Sequence, residues 1–288
     1  MYDVFCYGAI SLDISGKLVK TGGKVNQSEA TDYRLSPGGD ATLVAITLAG
    51  LGKKVALAGG PVGDDPMGIY IRETLEKMGI TILAPSLGKT SIATILLGEN
   101  GRRSVVTYRE ETAESEIPVF EAAVADSKYL YVDGCYANNS KVLGRIAREK
   151  RIPSLLNFDP ASASVAKCFD TVILSEEASL TIAPRPKEVA ARLHGIINGL
   201  AIITLGERGC ISFDGALESF PAYAVTAVDT TGAGAAFAAG FIDARLGGKS
   251  TANSIRFASA AGAYKALARG SYRIFTEGEI EAFIRSRQ

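Results

Sequence analysis

Tryptophan is absent from this chain of 288 residues, and histidine occurs once, at His194. One imidazole cannot build a multi-histidine metal centre, and with no G-x-S-x-G elbow a Ser-His-Asp hydrolase is excluded as well. His194 sits in a helical pattern, where a surface or capping role is expected. Cys6, Cys135, Cys168 and Cys210 lie far apart without a C-x-x-C pair, which argues against zinc and predicts buried free thiols in a reducing compartment. Charge of one sign is lacking too: 31 Lys and Arg balance 31 Asp and Glu. That leaves no basic footprint for nucleic acid and no polybasic membrane patch. No apolar run reaches the roughly 18–20 residues that span a bilayer. Met1-Tyr2-Asp3-Val4 carries no leader pattern, so a cytoplasmic protein is predicted.

What is present is the texture of a large α/β protein, with 47% apolar and 22% charged residues. Val4 to Gly8 and Lys54 to Ala58 read as buried strands, and Ala41 to Leu51 and Ile69 to Met78 as helices. After Glu114 strands and helices alternate: strands at Lys128–Asp133, Ser154–Phe158, Val172–Leu174 and Leu200–Leu205, helices at Ser140–Lys150 and Pro186–Ile197. A Cys210–Phe213 hairpin with an Asp214-Gly215 turn follows, then helices over Thr251–Leu267 and Glu277–Arg287. This predicts a mostly parallel sheet with helices on both faces. Two stretches break the pattern. Apolar and polar residues alternate from Leu12 to Leu35 around Gly22-Gly23, and again from Thr90 to Tyr108 around Asn100-Gly101. Together they predict a small β lid over 13–35 and 89–110, leaving 1–12, 36–88 and 111–288 as the α/β body.

The stretch that organises the chain runs from Val228 to Phe237, where an apolar run (Ala222 to Val228) feeds Asp229-Thr230-Thr231-Gly232-Ala233-Gly234 and a helix follows from Ala235 to Leu246. Such a turn aims unpaired N–H groups and the positive end of a helix dipole at one spot, an anion cradle; a plain strand-to-helix turn is the alternative. Asp13, just past the first strand, is a candidate for the ligand crevice, or else a turn former. Gly38-Gly39 permits close backbone approach, and Asp40 either accepts from ligand hydroxyls or N-caps the next helix. Arg109, at the end of the lid hairpin, is the one basic residue considered for substrate contact, against a solvated surface arginine. Gly59 to Asp65 lacks G-x-G-x-x-G spacing, and Asp243 stands where a P-loop ending at Gly248-Lys249-Ser250 needs its first glycine.

In order, Gly38-Gly39, Gly63-Asp64-Asp65-Pro66-Met67-Gly68, Thr204-Leu205-Gly206-x-x-Gly209 and Asp229-Thr230-Thr231-Gly232-Ala233-Gly234 with Phe237 and Gly240 resemble the signatures of the ribokinase-like (PfkB) carbohydrate kinases over essentially the whole chain. The resemblance implies a ribokinase-like α/β domain with a β lid, and ATP-dependent phosphoryl transfer to a hydroxymethyl group of a sugar or polyol. It implies an anion hole at Gly232, Ala233 and Gly234, sugar contacts at Asp13, Gly38, Gly39 and Asp40, and an ATP site at Thr204, Leu205, Gly206, Gly209, Asp229 and Thr231. Mg²⁺ is implied with the nucleotide, and a monovalent cation such as K⁺ at Asp229.

Three motif elements depart together. The family's general-base aspartate is replaced by Ala235, whose methyl accepts no proton. Its N-x-x-E motif corresponds to Ser175-Glu176-Glu177-Ala178, where Glu177 is the nearest substitute for organising Mg²⁺ through water. Leu43 replaces the asparagine after the Gly-Gly pair. Low or absent turnover is expected, and a pseudokinase that senses a ligand or binds a partner is the second reading. A homodimer joined through the β lid is expected as well.

Overall fold

The computed structural model describes residues 1–20, 28–98, 103–109, 120–157 and 163–287. In chain order the first half holds β1 (Tyr2–Gly8), β2 (Ser11–Lys20), β3 (Glu29–Gly38), α1 (Asp40–Gly50), β4 (Val55–Gly59), α2 (Pro66–Lys77), β5 (Thr81–Ile82), β6 (Ile92–Leu97), β7 (Arg103–Tyr108), α3 (Glu121–Ala125) and β8 (Ser127–Val132). Then come α4 (Ala137–Glu149), β9 (Ser154–Asn157), α5 (Ala163–Ala166), β10 (Thr171–Ser175), α6 (Glu176–Leu180), α7 (Pro186–Ile197), β11 (Leu200–Thr204), β12 (Cys210–Phe213), β13 (Leu217–Phe220), α8 (Ala233–Leu246), α9 (Thr251–Ala266) and α10 (Glu277–Arg285).

The large sheet runs β13-β12-β11-β10-β9-β8-β1-β4-β5, parallel from β11 to β5 with an antiparallel hairpin at the β12–β13 edge. Its strands read as unbroken apolar runs because both faces are covered. Val4 and Cys6 of β1 point into the cluster formed with α1, α2, α8 and α9; Phe5 and Tyr7 point into the one formed with α3, α4, α5 and α7. α8 is buried from Ala235 to Ala244, so it carries no amphipathic stripe: its alanines and glycines let it lie between the sheet and α9.

The second sheet, β3-β2-β6-β7, is the predicted small sheet. Its β6–β7 pair is antiparallel, as the alternation predicts. The turns expected at Gly22-Gly23 and Asn100-Gly101, and the strand end at Phe158-Asp159, lie outside the described residues.

Several expectations are corrected. Ala222 to Val228 is not a strand: it has no sheet partner, Tyr223 and Val225 pack instead against the cluster around Phe283, and Val228 is exposed. Asp13 does not follow the first strand as a loop residue but lies inside β2. Asp40 is not the helix cap; that position is Gly39, and Asp40 is the first residue of α1. Cys135 is exposed, unlike the other three thiols. His194 has its expected structural role: its Nδ1–H donates to the Gly199 carbonyl at 2.7 Å, at the end of α7. No described helix is long and apolar enough to cross a membrane.

Candidate active site

In an open parallel sheet, ligands bind outside the carboxyl ends of the strands. Along that edge lie Ala9 after β1, Asp133 after β8, Asn157 closing β9, Glu176 after β10 and Leu205 after β11.

Asp133 is almost fully buried, and one carboxylate oxygen accepts from the N–H groups of Ala9 (2.6 Å) and Ala41 (3.3 Å). The other accepts from Cys135 N–H at 3.0 Å. Ala41 lies in the first turn of α1, whose N-cap Gly39 has no side chain to offer, so a residue 92 positions away supplies the cap. Gly39 must be glycine: its φ is 93°, and a Cβ would lie 2.3 Å from the Ala9 carbonyl oxygen. Burial pushes the Asp133 pKa up, against the pull of the three N–H donors. Asp133→Ala orphans those donors. It is expected to cost about 2–3 kcal/mol in chemical denaturation, since a buried unsatisfied polar group costs about 1–3 kcal/mol.

Asp13 is 5% exposed and faces a cleft between the small sheet and the Gly-rich turn before α8. Gly38, on β3 opposite Ser11, gives it space, because a Cβ there would overlap the carboxylate. Ser11 Oγ donates to it at 3.0 Å, but desolvation dominates and lifts its pKa to about 6. The cleft is narrow, with a cavity volume of about 10 Å³, and is lined by Asp13, Ser15, Ile95, Leu97, Asp229, Thr231, Gly270 and Ser271. Sequence neighbours of the lid and of the Gly-rich turn, more than 200 residues apart, thus share one pocket.

The turn itself is held by the chain after α9. Asp229 accepts through Oδ1 from Thr231 N–H (2.9 Å) and through Oδ2 from Gly270 N–H (3.0 Å). Gly232, N-cap of α8, has φ 77° and sits so close to the Ser271 carbonyl that a Cβ would lie 1.8 Å from it. No side chain caps α8, in contrast to α2, α6, α9 and α10, which Asp65, Ser175, Ser250 and Thr276 cap. The first N–H groups of a helix have no intrahelical partner, and such ends receive anions; here the Ala233 N–H is already taken by the Thr230 carbonyl at 3.1 Å. Next to it the wall is apolar: Ala235 is buried in the core cluster, and Leu43 Cδ1 lies 3.5 Å from where a Gly232 Cβ would stand.

At the β11 end, Leu205 N–H donates to the Gly209 carbonyl (2.7 Å), closing a short 3-10 turn over Gly206–Arg208, with positive φ at Gly206 and Gly209. Thr204 Oγ1 makes a long contact of 3.5 Å with the Leu174 carbonyl. Arg208 pairs with Glu176, tying this turn to α6, while Glu177 beside it is exposed. Glu177 offers one exposed carboxylate beside this turn, the type of ligand that Mg²⁺ takes together with substrate phosphates. Among the described residues no group of three or more metal-ligating side chains converges.

Of the expected residues, the structure gathers Asp13, Asp229 and Thr231 around one cleft. Gly39 and Asp40 are not among the residues lining it; they stand at the start of α1, where Asp40 accepts from Asn157 Nδ2 at 3.0 Å. Arg109 is exposed after β7, near enough to Cys135 and Tyr136 for its charge to act on both. Sequence reasoning missed Asp133, Asn157, Ser271 and Lys265. A strand-ending aspartate at a sheet edge was the readable signal for Asp133.

The residues at Asp229 do not fit a monovalent cation. Its main-chain oxygen accepts from the Lys265 ammonium at 2.9 Å, its carboxylate is taken by two N–H groups, and a second cation there would meet a like charge.

The pfkB family carbohydrate kinase model matches residues 1–276. An ATP-dependent ribose-1-phosphate kinase of Halopiger xanaduensis is 24% identical over 100% of this chain and 99% of its own length. Fructokinase-1 of Zea mays is 27% identical, with 96% of each chain covered. The ribokinase of Thermotoga maritima superposes with a TM-score of 0.85 at 21% identity over 99% of this chain and 100% of its own. With the ribokinase-like fold in place and the family model spanning nearly the whole sequence, this chain belongs to the pfkB family of carbohydrate kinases.

Proposed function

We propose that the chain binds ATP and a small polyhydroxylated substrate, and that as it stands it transfers the γ-phosphoryl group to a hydroxymethyl oxygen slowly or not at all. The observation that carries this is the uncapped N-terminus of α8 beside the Asp13 cleft, with a methyl group at Ala235. Phosphoryl transfer depends on positioning and on stabilising charge as it develops. In this reading the N–H groups of Gly232 and Gly234 face the transferred group, while that of Ala233, expected to join them, is held by the Thr230 carbonyl at 3.1 Å. Asp13 accepts from substrate hydroxyls, and Asp133 fixes the junction of β1 and α1 behind them. Thr204 to Gly209 would take the nucleotide, and Glu177 would be the residue to hold Mg²⁺, which would supply charge neutralisation at the phosphates. The proton of the attacking hydroxyl finds no acceptor at Ala235, a loss that costs about 10²–10⁴ in rate.

The relatives' names span ribose 1-phosphate and fructose. Among the described residues no Lys or Arg lines the cleft, which favours a neutral sugar, because a phosphate is normally clamped by charge-assisted bonds. Calorimetry with fructose, ribose, ribose 1-phosphate and nucleosides, each with and without MgATP, tests the reading. Binding of both a neutral sugar and MgATP is expected. Failure of MgATP to bind would overturn it.

A second reading, a pseudokinase that senses a sugar, is favoured by one observation: Leu43 and Ala235, both departures from the family pattern, are buried together in apolar packing. Sugar binding without nucleotide binding selects it. Either reading suits a cytoplasmic protein.

The small sheet also offers a dimer surface. By register Leu35, Val106 and Tyr108 fall on the face opposite Asp13 and Ile95, and all three are exposed. Sedimentation is expected to show a dimer that Val106→Glu dissociates, with the monomer's melting temperature changed little.

A further inference from the structure

Lys265 lies on α9 with 1% of its surface exposed, yet it makes no ion pair with a carboxylate among the described residues. Its Nζ donates to two main-chain carbonyls, Asp229 O at 2.9 Å and Ala268 O at 3.5 Å. A buried charge is normally paired, and burial pulls this pKa down while the nearby Asp229 carboxylate opposes the shift. Carbonyl oxygens are the ligands that K⁺ accepts in exchange for its water shell. The ammonium therefore sits where a monovalent cation would have to sit, on the carbonyl of the residue expected to help hold one.

The same short segment clamps the turn from three more directions. The N–H groups of Val228 and Asp229 donate to the Ala266 carbonyl (2.8 and 3.2 Å), Gly270 N–H donates to the Asp229 carboxylate, and the Ser271 carbonyl lies under Gly232. Lys265 is the one cation in this clamp, and the clamp sets where the first turn of α8 begins.

We propose that Lys265 is a positioning residue whose ammonium replaces the monovalent cation, fixing Asp229 and the turn into α8 so that the chain's anion cradle is assembled independently of K⁺. The role of the cradle rests on the kinase reading; the tethered ammonium does not. The test uses the full chain and Lys265→Ala in KCl, NaCl and tetramethylammonium chloride at equal ionic strength, reading the melting temperature without ligand and MgATP affinity by calorimetry. The unsubstituted chain is expected to give the same melting temperature and the same affinity in all three salts. Lys265→Ala is expected to melt lower and bind MgATP about tenfold more weakly in tetramethylammonium. KCl or methylammonium chloride, which can reoccupy the carbonyl pair, is expected to restore both. A K⁺-specific rise in either reading for the unsubstituted chain overturns the proposal, as does a variant that no small cation rescues. If Lys265→Ala fails to fold in every salt, including KCl and methylammonium, that also counts as failure of rescue. Absence of MgATP binding would overturn the kinase reading while leaving the melting series to decide the role of Lys265.

Discussion

Ala235→Asp is expected to raise phosphoryl transfer by about 10²–10⁴, the usual contribution of a positioned general base. Position 235 is in the first turn of α8, one residue past the glycines of the turn, so a carboxylate there meets the helix N-terminus, a favourable place for negative charge. It also enters an apolar environment, since Ala235 is buried in the core cluster that includes Leu43. Some stability is therefore expected to be lost, and the melting temperature must be followed alongside the rate. The assay is ATP consumption with the sugars that calorimetry identifies. A gain shows that the rest of the machinery is in place and lacks only its proton acceptor. No gain in a folded variant that still binds both ligands would mean that the motif changes at Leu43 and at Ser175 to Ala178 have disabled the site independently, which is the pseudokinase reading.

Asp13→Asn is expected to trade affinity for stability. Burial lifts the Asp13 pKa to about 6 in the folded state, against an ordinary aspartate value of 3.8, so the folded state holds its proton to higher pH than the unfolded chain. Where the folded state binds more protons, stability falls as pH rises. The unsubstituted chain is therefore expected to lose on the order of 2–3 kcal/mol between about pH 4 and pH 6 and to change little from this group above that. Asp13→Asn removes this dependence and is expected to be the more stable protein at pH 8. Denaturant titrations of both chains from pH 4 to pH 8 give the difference, in which other carboxylates cancel. The price is recognition: an ionised acceptor in a desolvated cleft is worth about 1.5–3 kcal/mol per hydrogen bond, so sugar affinity should drop about 10–100-fold at neutral pH. In the unsubstituted chain that affinity should rise from pH 5 to pH 7 as Asp13 ionises. A stability profile unaltered by the substitution would show that Asp13 is not held in the desolvated state its burial implies.

The parallel sheet was legible because burial on both faces leaves a plain mark. Val4 to Tyr7, Leu130 to Val132 and Ala201 to Ile203 are unbroken runs of apolar and aromatic residues. The same rule misleads at Ala222 to Val228. There the run is apolar for a different reason: Tyr223 and Val225 pack beside α10, with no strand to pair with. At the site, residues announced by local chemistry were visible, as the glycines around Gly39 and Gly232 and the aspartates beside them show. Residues defined by a distant partner were not. Asp133 acts on Ala9 and Ala41, Asn157 on Asp40, and Ser271 lies under Gly232, separations that no local pattern encodes. Lys265 reads in sequence as a solvated helix lysine; only its burial and its carbonyl partners set it apart.

The most direct measurement is a single-turnover experiment with γ-labelled ATP on the chain with Ala235 in place, using excess protein and a saturating sugar identified by calorimetry. A chain with an assembled cradle and no proton acceptor should bind the nucleotide and transfer label to the sugar about 10²–10⁴ more slowly than Ala235→Asp does. Label transfer at the 1–10³ s⁻¹ typical of enzymes, from the chain as it stands, would contradict the account, because the proton would then be leaving by a route that Ala235 does not obstruct.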